Sequence, residues 1–174
     1  GLNNDWVCTL AILKDNNEKI SKEKLIEKFD DIYLNETIKN EKLIVDLELL
    51  KIFSQKYNIG IITGRPRRDA EITIKKFGFD KFFSNVITMD EEKDKSIAIR
   101  NLMKKFESIN AVYIGDTIDD IISANKANIN SIGIKPIISS KNLPKLLKKI
   151  GAKFVLNNIN ELLRTIKWKI ELQA

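Results

Sequence analysis

The chain has 174 residues, 43% hydrophobic and 31% charged, with a formal net charge of +6, no histidine and one cysteine. That balance is typical of a folded globular protein, most simply one domain with a small appendage. The missing histidine excludes Ser-His-Asp triads, imidazole acid–base chemistry and His-ligated zinc. A single thiol, Cys8, excludes an internal disulfide framework and makes a reducing cytoplasm the expected setting. It lies beside Trp6, Val7 and Leu10 and is expected to be a small buried hydrophobe.

No apolar run reaches the roughly 20 residues of a membrane span. Gly1 to Asp5 lacks the basic region and apolar core of a secretory signal, so none is expected. The lysines are interleaved with acids along helical surfaces, without clustered arginines or exposed aromatics. The positive charge is therefore read as suited to anionic substrates rather than nucleic acid.

From Asp5 to about Asn58 the periodicity is helical. Trp6, Leu10 and Leu13 form one stripe, Leu25, Ile26, Phe29 and Ile32 a second, and Leu43, Leu47, Leu50 and Phe53 a third. Ser21 is the expected cap of the second helix. After Asn58 the pattern changes to short apolar runs between helices. Strands are expected at Ile59–Thr63, Val86–Thr88, Ala111–Ile114, Ser131–Ile134 and Phe154–Leu156. Helices are expected over Asp69–Phe77 (closed by Gly78), Ser96–Phe106, Ile118–Ala127, Leu143–Ile150 and Ile159 to about Ile170. Strands alternating with helices predict an α/β fold, a parallel sheet with helices on both faces. The expected division is a helical region over 1–40 and the α/β core over 41–174, with the helix from about Lys42 to Lys56 packing on the sheet.

Three groups fall at the carboxyl ends of strands, where open α/β sheets bind ligands. Thr63 follows the first strand, Lys93 and Lys95 precede the helix after the second, and Asp116, Asp119 and Asp120 follow the third. Carboxylates without histidine suit a hard cation such as Mg²⁺. Thr63 and the Gly64 amide can donate to phosphate oxygens, and a lysine can balance the charge of a phosphoryl group. Each piece has a plainer reading: Thr63 as a strand end, the lysines as solvated charges, and Asp116 with Thr117 as helix caps. Capping accounts for one such acid, not for three around one turn.

The order and spacing of these groups resemble the haloacid dehalogenase (HAD)-like hydrolase superfamily, mostly Mg²⁺-dependent phosphatases. Ile61-Ile62-Thr63-Gly64-Arg65-Pro66 looks like its second motif. Gly115-Asp116-Thr117-Ile118-Asp119-Asp120 looks like its fourth, and the run through Ser123–Ala127 and Ser131–Ile134 follows the family's usual continuation. The resemblance implies a Rossmann-like three-layer fold with a small helical cap, formed here by the N-terminal region. It implies Asp116 as the metal ligand with Asp120 as its acidic partner, Thr63 and Gly64 as phosphate-binding groups, and Lys95 as the motif lysine. Lys93 is the reserve for that lysine, and the roles of Asp119 and Arg65 stay open.

The family's first motif, a buried strand ending in Asp-x-Asp that carries the nucleophile, has no counterpart here. Asn4-Asp5 follows no apolar run, Asp30-Asp31 lies in a helical stripe, and Asp15 and Asp46 sit in similar settings. In the family that strand lies between those ending at Thr63 and Asp116. An open gap there would leave backbone groups unpaired at about 1–3 kcal/mol each, against a total stability of only ~5–15 kcal/mol. The expectation is that a segment upstream of Gly1 supplies the strand and its Asp, or that a second chain or a rearranged strand fills the gap.

The leading expectation is therefore a Mg²⁺-dependent phosphohydrolase acting on a small phosphorylated metabolite through an aspartyl-phosphate. The chain alone is expected to be inactive, without membrane or nucleic-acid partners, and open to self-association along a sheet edge. The alternative is a catalytically inactive binding or interaction module of the same fold.

Overall fold

A computed structural model describes residues 5–16 and 19–164. They fall into two compact units, Gly1–Leu43 and Ile44–Ala174. The first is helical: α1 (Asp5–Asp15), α2 (Lys22–Ile32), a π-helical turn (Tyr33–Thr37) and a short α3 (Ile38–Asn40). Ser21 caps α2 by accepting from the Lys24 amide, as its hydroxyl permits at an N-cap. Leu25, Tyr33 and Ile38 are buried, and the Tyr33 hydroxyl donates to Glu41 at 3.2 Å. Cys8 is only half-buried, a correction to the buried hydrophobe expected. The Trp6 side chain of the first stripe lies outside the described residues.

The helical reading to Asn58 is also corrected. Residues 41–46 are not helical, and α4 (Leu47–Lys56) begins only where the Asp46 carboxylate accepts from the Glu48 amide. Leu43 therefore precedes the helix whose stripe it was assigned to.

The second unit alternates strand and helix: β1 (Gly60–Ile62), α5 (Arg67–Phe77), β2 (Asn85–Ile87), α6 (Lys95–Lys105), β3 (Val112–Gly115), α7 (Ile118–Lys126), β4 (Asn130–Ile134), α8 (Leu143–Lys149) and β5 (Phe154–Leu156). The expected order holds, with ends moved by one or two residues. A 3-10 turn at Ile159–Glu161 starts the segment read as the last helix, whose part beyond residue 164 lies outside the described residues. All pairings among the described residues are parallel, each made across an intervening helix. The strands form two sheets, β1-β2 and β3-β4-β5.

Helices cover both faces. In β4 and β5 the side chains of Ile132, Ile134, Phe154 and Leu156 pack with Leu49 and Leu50 of α4. On the opposite face, Tyr113 of β3 and Ile62 of β1 join Ile99 of α6 and Ala124 of α7. Ile121 of α7 and Leu147 of α8, both fully buried, pack with Val155. Truncating either to alanine costs about 2–5 kcal/mol at such sites.

Although β1 and β3 both lean on the Ile99 cluster, they belong to separate sheets. Among the described residues no strand lies between them. The Ile114↔Ile132 register puts Val112 and Ile114 on the α4 face, yet they remain 53% and 36% exposed. This is the architecture of a parallel, Rossmann-type α/β fold, with an open edge on each of the two strands that lead to the predicted site.

Candidate active site

The loops that end β1, β2 and β3 carry the predicted residues. Thr63 continues the β1–β2 ladder, its amide donating to the Ile87 carbonyl at 3.0 Å. The Thr63 hydroxyl oxygen accepts from the Arg65 amide at 3.2 Å. That bond folds the loop back on itself and leaves the hydroxyl proton available to an acceptor. Gly64 is exposed, and a side chain there would meet nothing within 4 Å. Its surroundings are open enough for a ligand to approach the backbone.

Lys95 is the first residue of α6, whose N-terminus is capped by the Asp94 carboxylate through the Ser96 and Ile97 amides. From that position the Lys95 ammonium lies 2.7 Å from Asp120 Oδ1 and 3.5 Å from Asp119 Oδ2. The reserve lysine, Lys93, is exposed and makes no such contact. Of the two, Lys95 is the one turned toward the carboxylates.

The Gly115–Asp120 segment is organised around Asp120, which is buried in the first turn of α7. Its Oδ2 accepts from the Thr117 hydroxyl at 2.7 Å and from the Thr117 and Asp116 amides at 3.0 and 3.1 Å. Its Oδ1 takes the Lys95 ammonium and, at 3.4 Å, the Tyr113 hydroxyl. In return the Asp120 amide donates to Thr117 Oγ1, which completes a capping box. Capping thus accounts for Asp120 as well as Thr117, more of the segment than the sequence reading allowed it. The T-x-x-D spacing was the signal for it. Gly115 makes the arrangement fit: a Cβ there would sit 2.4 Å from the Asp120 Cβ, closer than any real contact.

The electrostatics separate the two acids. Burial works to raise the Asp120 carboxyl, but Lys95 and the Thr117 donors outweigh it and hold the group below its ordinary value. Asp116 moves the other way: partial burial, and then the neighbouring Asp120 charge, push its carboxyl up. No other side chain hydrogen-bonds the Asp116 carboxylate among the described residues. Asp116, exposed at the strand end beside a second carboxylate, offers the oxygen ligands that suit a hard cation. Mg²⁺ takes only one or two protein carboxylates. Among the described residues no group of three or more acidic or thiol side chains forms a ready-made cage.

The structure thus brings Lys95, Asp116, Asp119 and Asp120 together, whereas no hydrogen bond links Thr63 to that group. Sequence reasoning missed Thr117 and Tyr113 as partners of Asp120. It also missed a set of bonds between the loops after β1 and β2, involving Arg67, Thr88, Asp90 and Glu91.

A parallel α/β fold with a lysine and carboxylates at its strand ends places these groups where open α/β sheets bind ligands. Residues 8–134 match the family model of the haloacid dehalogenase-like hydrolases, and the chain belongs to that family. It is 27% identical over 188 residues to an imidazoleglycerol-phosphate dehydratase of Phytophthora nicotianae, covering 92% of this chain and 41% of the relative. It is 24% identical to pyrophosphatase PpaX of Bacillus mycoides, covering 81% and 60%. The chain therefore spans about half the length of the curated relatives it matches. Among solved structures it resembles a putative beta-phosphoglucomutase from Thermotoga maritima, with a TM-score of 0.72, 18% identity, and coverage of 90% and 74%. It also resembles the putative HAD-hydrolase YfnB from Bacillus subtilis bound to magnesium, with a TM-score of 0.71, 14% identity, and coverage of 90% and 68%. At those identities the structures support the fold alone. No helix among the described residues is long and apolar enough to cross a membrane.

Proposed function

We propose that this chain is part of a Mg²⁺-dependent phosphatase acting on small phosphate monoesters. The observation that carries the reading is the Lys95–Asp120 pair beside Asp116, at the end of a parallel strand in a chain of this family. Asp116, with Asp119 nearby, would hold Mg²⁺, which when bound supplies positive charge to the phosphate oxygens. Asp120 has both oxygens engaged within the protein, so its part is to fix the Asp116 backbone and the Lys95 ammonium. Thr63 and the Gly64 amide donate to the transferring phosphoryl group, and Lys95 balances its charge.

The nucleophile is proposed to be an Asp upstream of Gly1, on a strand that fills the space between β1 and β3. Its carboxylate oxygen attacks phosphorus, the bond to the ester oxygen breaks, and that oxygen takes a proton from the second Asp of the same Asp-x-Asp, so that the alcohol departs. Water then cleaves the aspartyl-phosphate to release phosphate. The open edges of β1 and β3, and the exposed Val112 and Ile114, support the missing strand. In this reading the helical region over 1–40 is the cap that selects substrate, and the enzyme works in the cytoplasm. Self-association along an open sheet edge is proposed for the chain when that strand is absent.

The alternative reading is a non-catalytic binding module of the same fold. The protein extended upstream of Gly1 separates the two when assayed on p-nitrophenyl phosphate with Mg²⁺. The phosphatase reading expects turnover that falls by 10² or more in Asp116→Ala. Turnover unchanged by that substitution would overturn the metal role, and no turnover at all would favour the module.

A further inference from the structure

The loops after β1 and β2 are bound to each other more densely than strand ends require. Arg67 opens α5, and its backbone amide donates to Asp90 Oδ2 at 2.6 Å. Its guanidinium donates through Nε to Glu91 Oε1 at 2.8 Å, forms an ion pair with that oxygen through Nη2 at 2.7 Å, and reaches the Val86 carbonyl at 2.9 Å. The second Glu91 oxygen accepts from the Thr88 amide at 2.7 Å and from the Thr88 hydroxyl at 2.6 Å. Thr88 is fully buried. The Met89 amide closes the set by donating to the Arg65 carbonyl at 3.3 Å.

Local structure alone does not call for these bonds. Pro66 sits at the N-cap of α5 and has no side chain with which to cap it, so Asp90 satisfies an orphan donor from another loop. Glu91 has the chemistry of a fixed anchor. The Thr88 hydroxyl, then the Thr88 amide and Arg67, lower its carboxyl to about 2, against some opposition from burial. The two tied segments have a shared position in the fold. One runs from Thr63 through Arg65, and the other leads from Thr88 to Asp94, which caps the helix carrying Lys95.

We propose that the Arg67–Glu91 pair, with Thr88 and Asp90, is a positioning clamp that sets the Thr63–Gly64 phosphate grip against Lys95. The proposal rests on the phosphatase reading for its catalytic consequence, but the mechanical link stands on the bonds themselves. None of the four residues is among those proposed to contact the phosphoryl group. They act by fixing the separation of two loops that must reach the same phosphoryl group, where a displacement of about 1 Å can cost on the order of 10²-fold in rate.

The test has two arms. In the first, amide hydrogen exchange is followed in the 174-residue chain and its Glu91→Gln and Thr88→Val variants. The clamp requires faster exchange at residues 63–67 and 88–95 together, with β3 and β4 unchanged. Loosening confined to 88–95 would overturn it. In the second, the protein extended upstream of Gly1 is assayed for the Mg²⁺ concentration giving half-maximal activity and for inhibition by inorganic phosphate. Glu91→Gln should weaken phosphate inhibition about tenfold and leave the Mg²⁺ requirement within twofold, and Glu91→Asp should recover part of the loss. Equal weakening of both would mean general loosening, and no change in phosphate inhibition would remove the positioning role. If the unmodified protein shows no phosphatase activity, the phosphatase reading fails, and exchange alone decides the clamp.

Discussion

Lys95 Nζ meets Asp120 Oδ1 at 2.7 Å, joining the start of α6 to the start of α7 through side chains only 18% and 6% exposed. Removing one partner leaves the other charged in a poorly hydrated place, which costs about 3–5 kcal/mol. Lys95→Met should therefore lower stability by about 3 kcal/mol in urea unfolding. The double variant with Asp120→Asn should lose clearly less than the sum of the two single changes. Strict additivity would mean that the pair is not coupled.

Gly115→Ala should destabilise by about 1–3 kcal/mol or more, because the new methyl collides with Asp120 rather than with a yielding side-chain tip. The loss should shrink in Gly115→Ala combined with Asp120→Ala. Thermal unfolding of the single and double variants reads this directly.

Asp116 gives the metal prediction. At Mg²⁺ about 100-fold above its dissociation constant, binding to the folded state stabilises by about 2.7 kcal/mol. For a domain of this size that is a rise in Tm of several degrees. Chelation should abolish the rise, and Asp116→Asn should not show it. An equal Mg²⁺ shift in that variant would place the cation elsewhere.

Glu91 sets a pH prediction. Its carboxyl is lowered from 4.5 to about 2 in the folded chain. Its stabilisation is complete above about pH 4.5 and is lost as the pH falls through 2. Because the Arg67–Glu91 pair is partly exposed, solvent screening limits the effect to about 0.5–1 kcal/mol. A Tm titration of Glu91→Gln between pH 5 and 2 should be correspondingly flatter than that of the unmodified chain, and identical curves would contradict the lowered carboxyl.

Thr63→Val tests the phosphate grip. The Thr63 amide keeps its bond to Ile87, so stability should change by less than about 1 kcal/mol. In the upstream-extended protein, kcat/KM should fall about 10²-fold with the loss of one donor to the phosphoryl group. A fall matched by loss of folded protein would point to a structural role instead.

The order of strands and helices was legible because apolar runs such as Ile59–Ile62 and Ala111–Ile114 stop at glycine or polar turn residues. The pair Asp116 and Asp120 stood out for the same reason: they follow an apolar run at a glycine. Residues 41–46 were misread because Leu43 extends the stripe of α4 in register, while the Asp46 cap decides where the helix starts. Sequence could have shown the Thr117–Asp120 capping box, whose partners are three residues apart. It could not show that Arg67 meets Glu91 across 24 positions. In a chain that is 31% charged, neither residue differs locally from a solvated surface charge.

The borrowed cap on α5 carries a consequence for how the chain acquires its structure. With Pro66 at its N-cap, α5 lacks a side-chain cap of its own, and Asp90 becomes available only once β2 has paired with β1. The start of α5 should therefore consolidate late, after strand pairing, although the helix is short-range in sequence. Substitutions at Asp90 should speed unfolding and leave the folding rate nearly unchanged. At the other end, Gly78 closes α5 in a left-handed conformation with local bonds to Ile74 and Lys75. The helix should consequently grow from its C-terminal end toward Arg67.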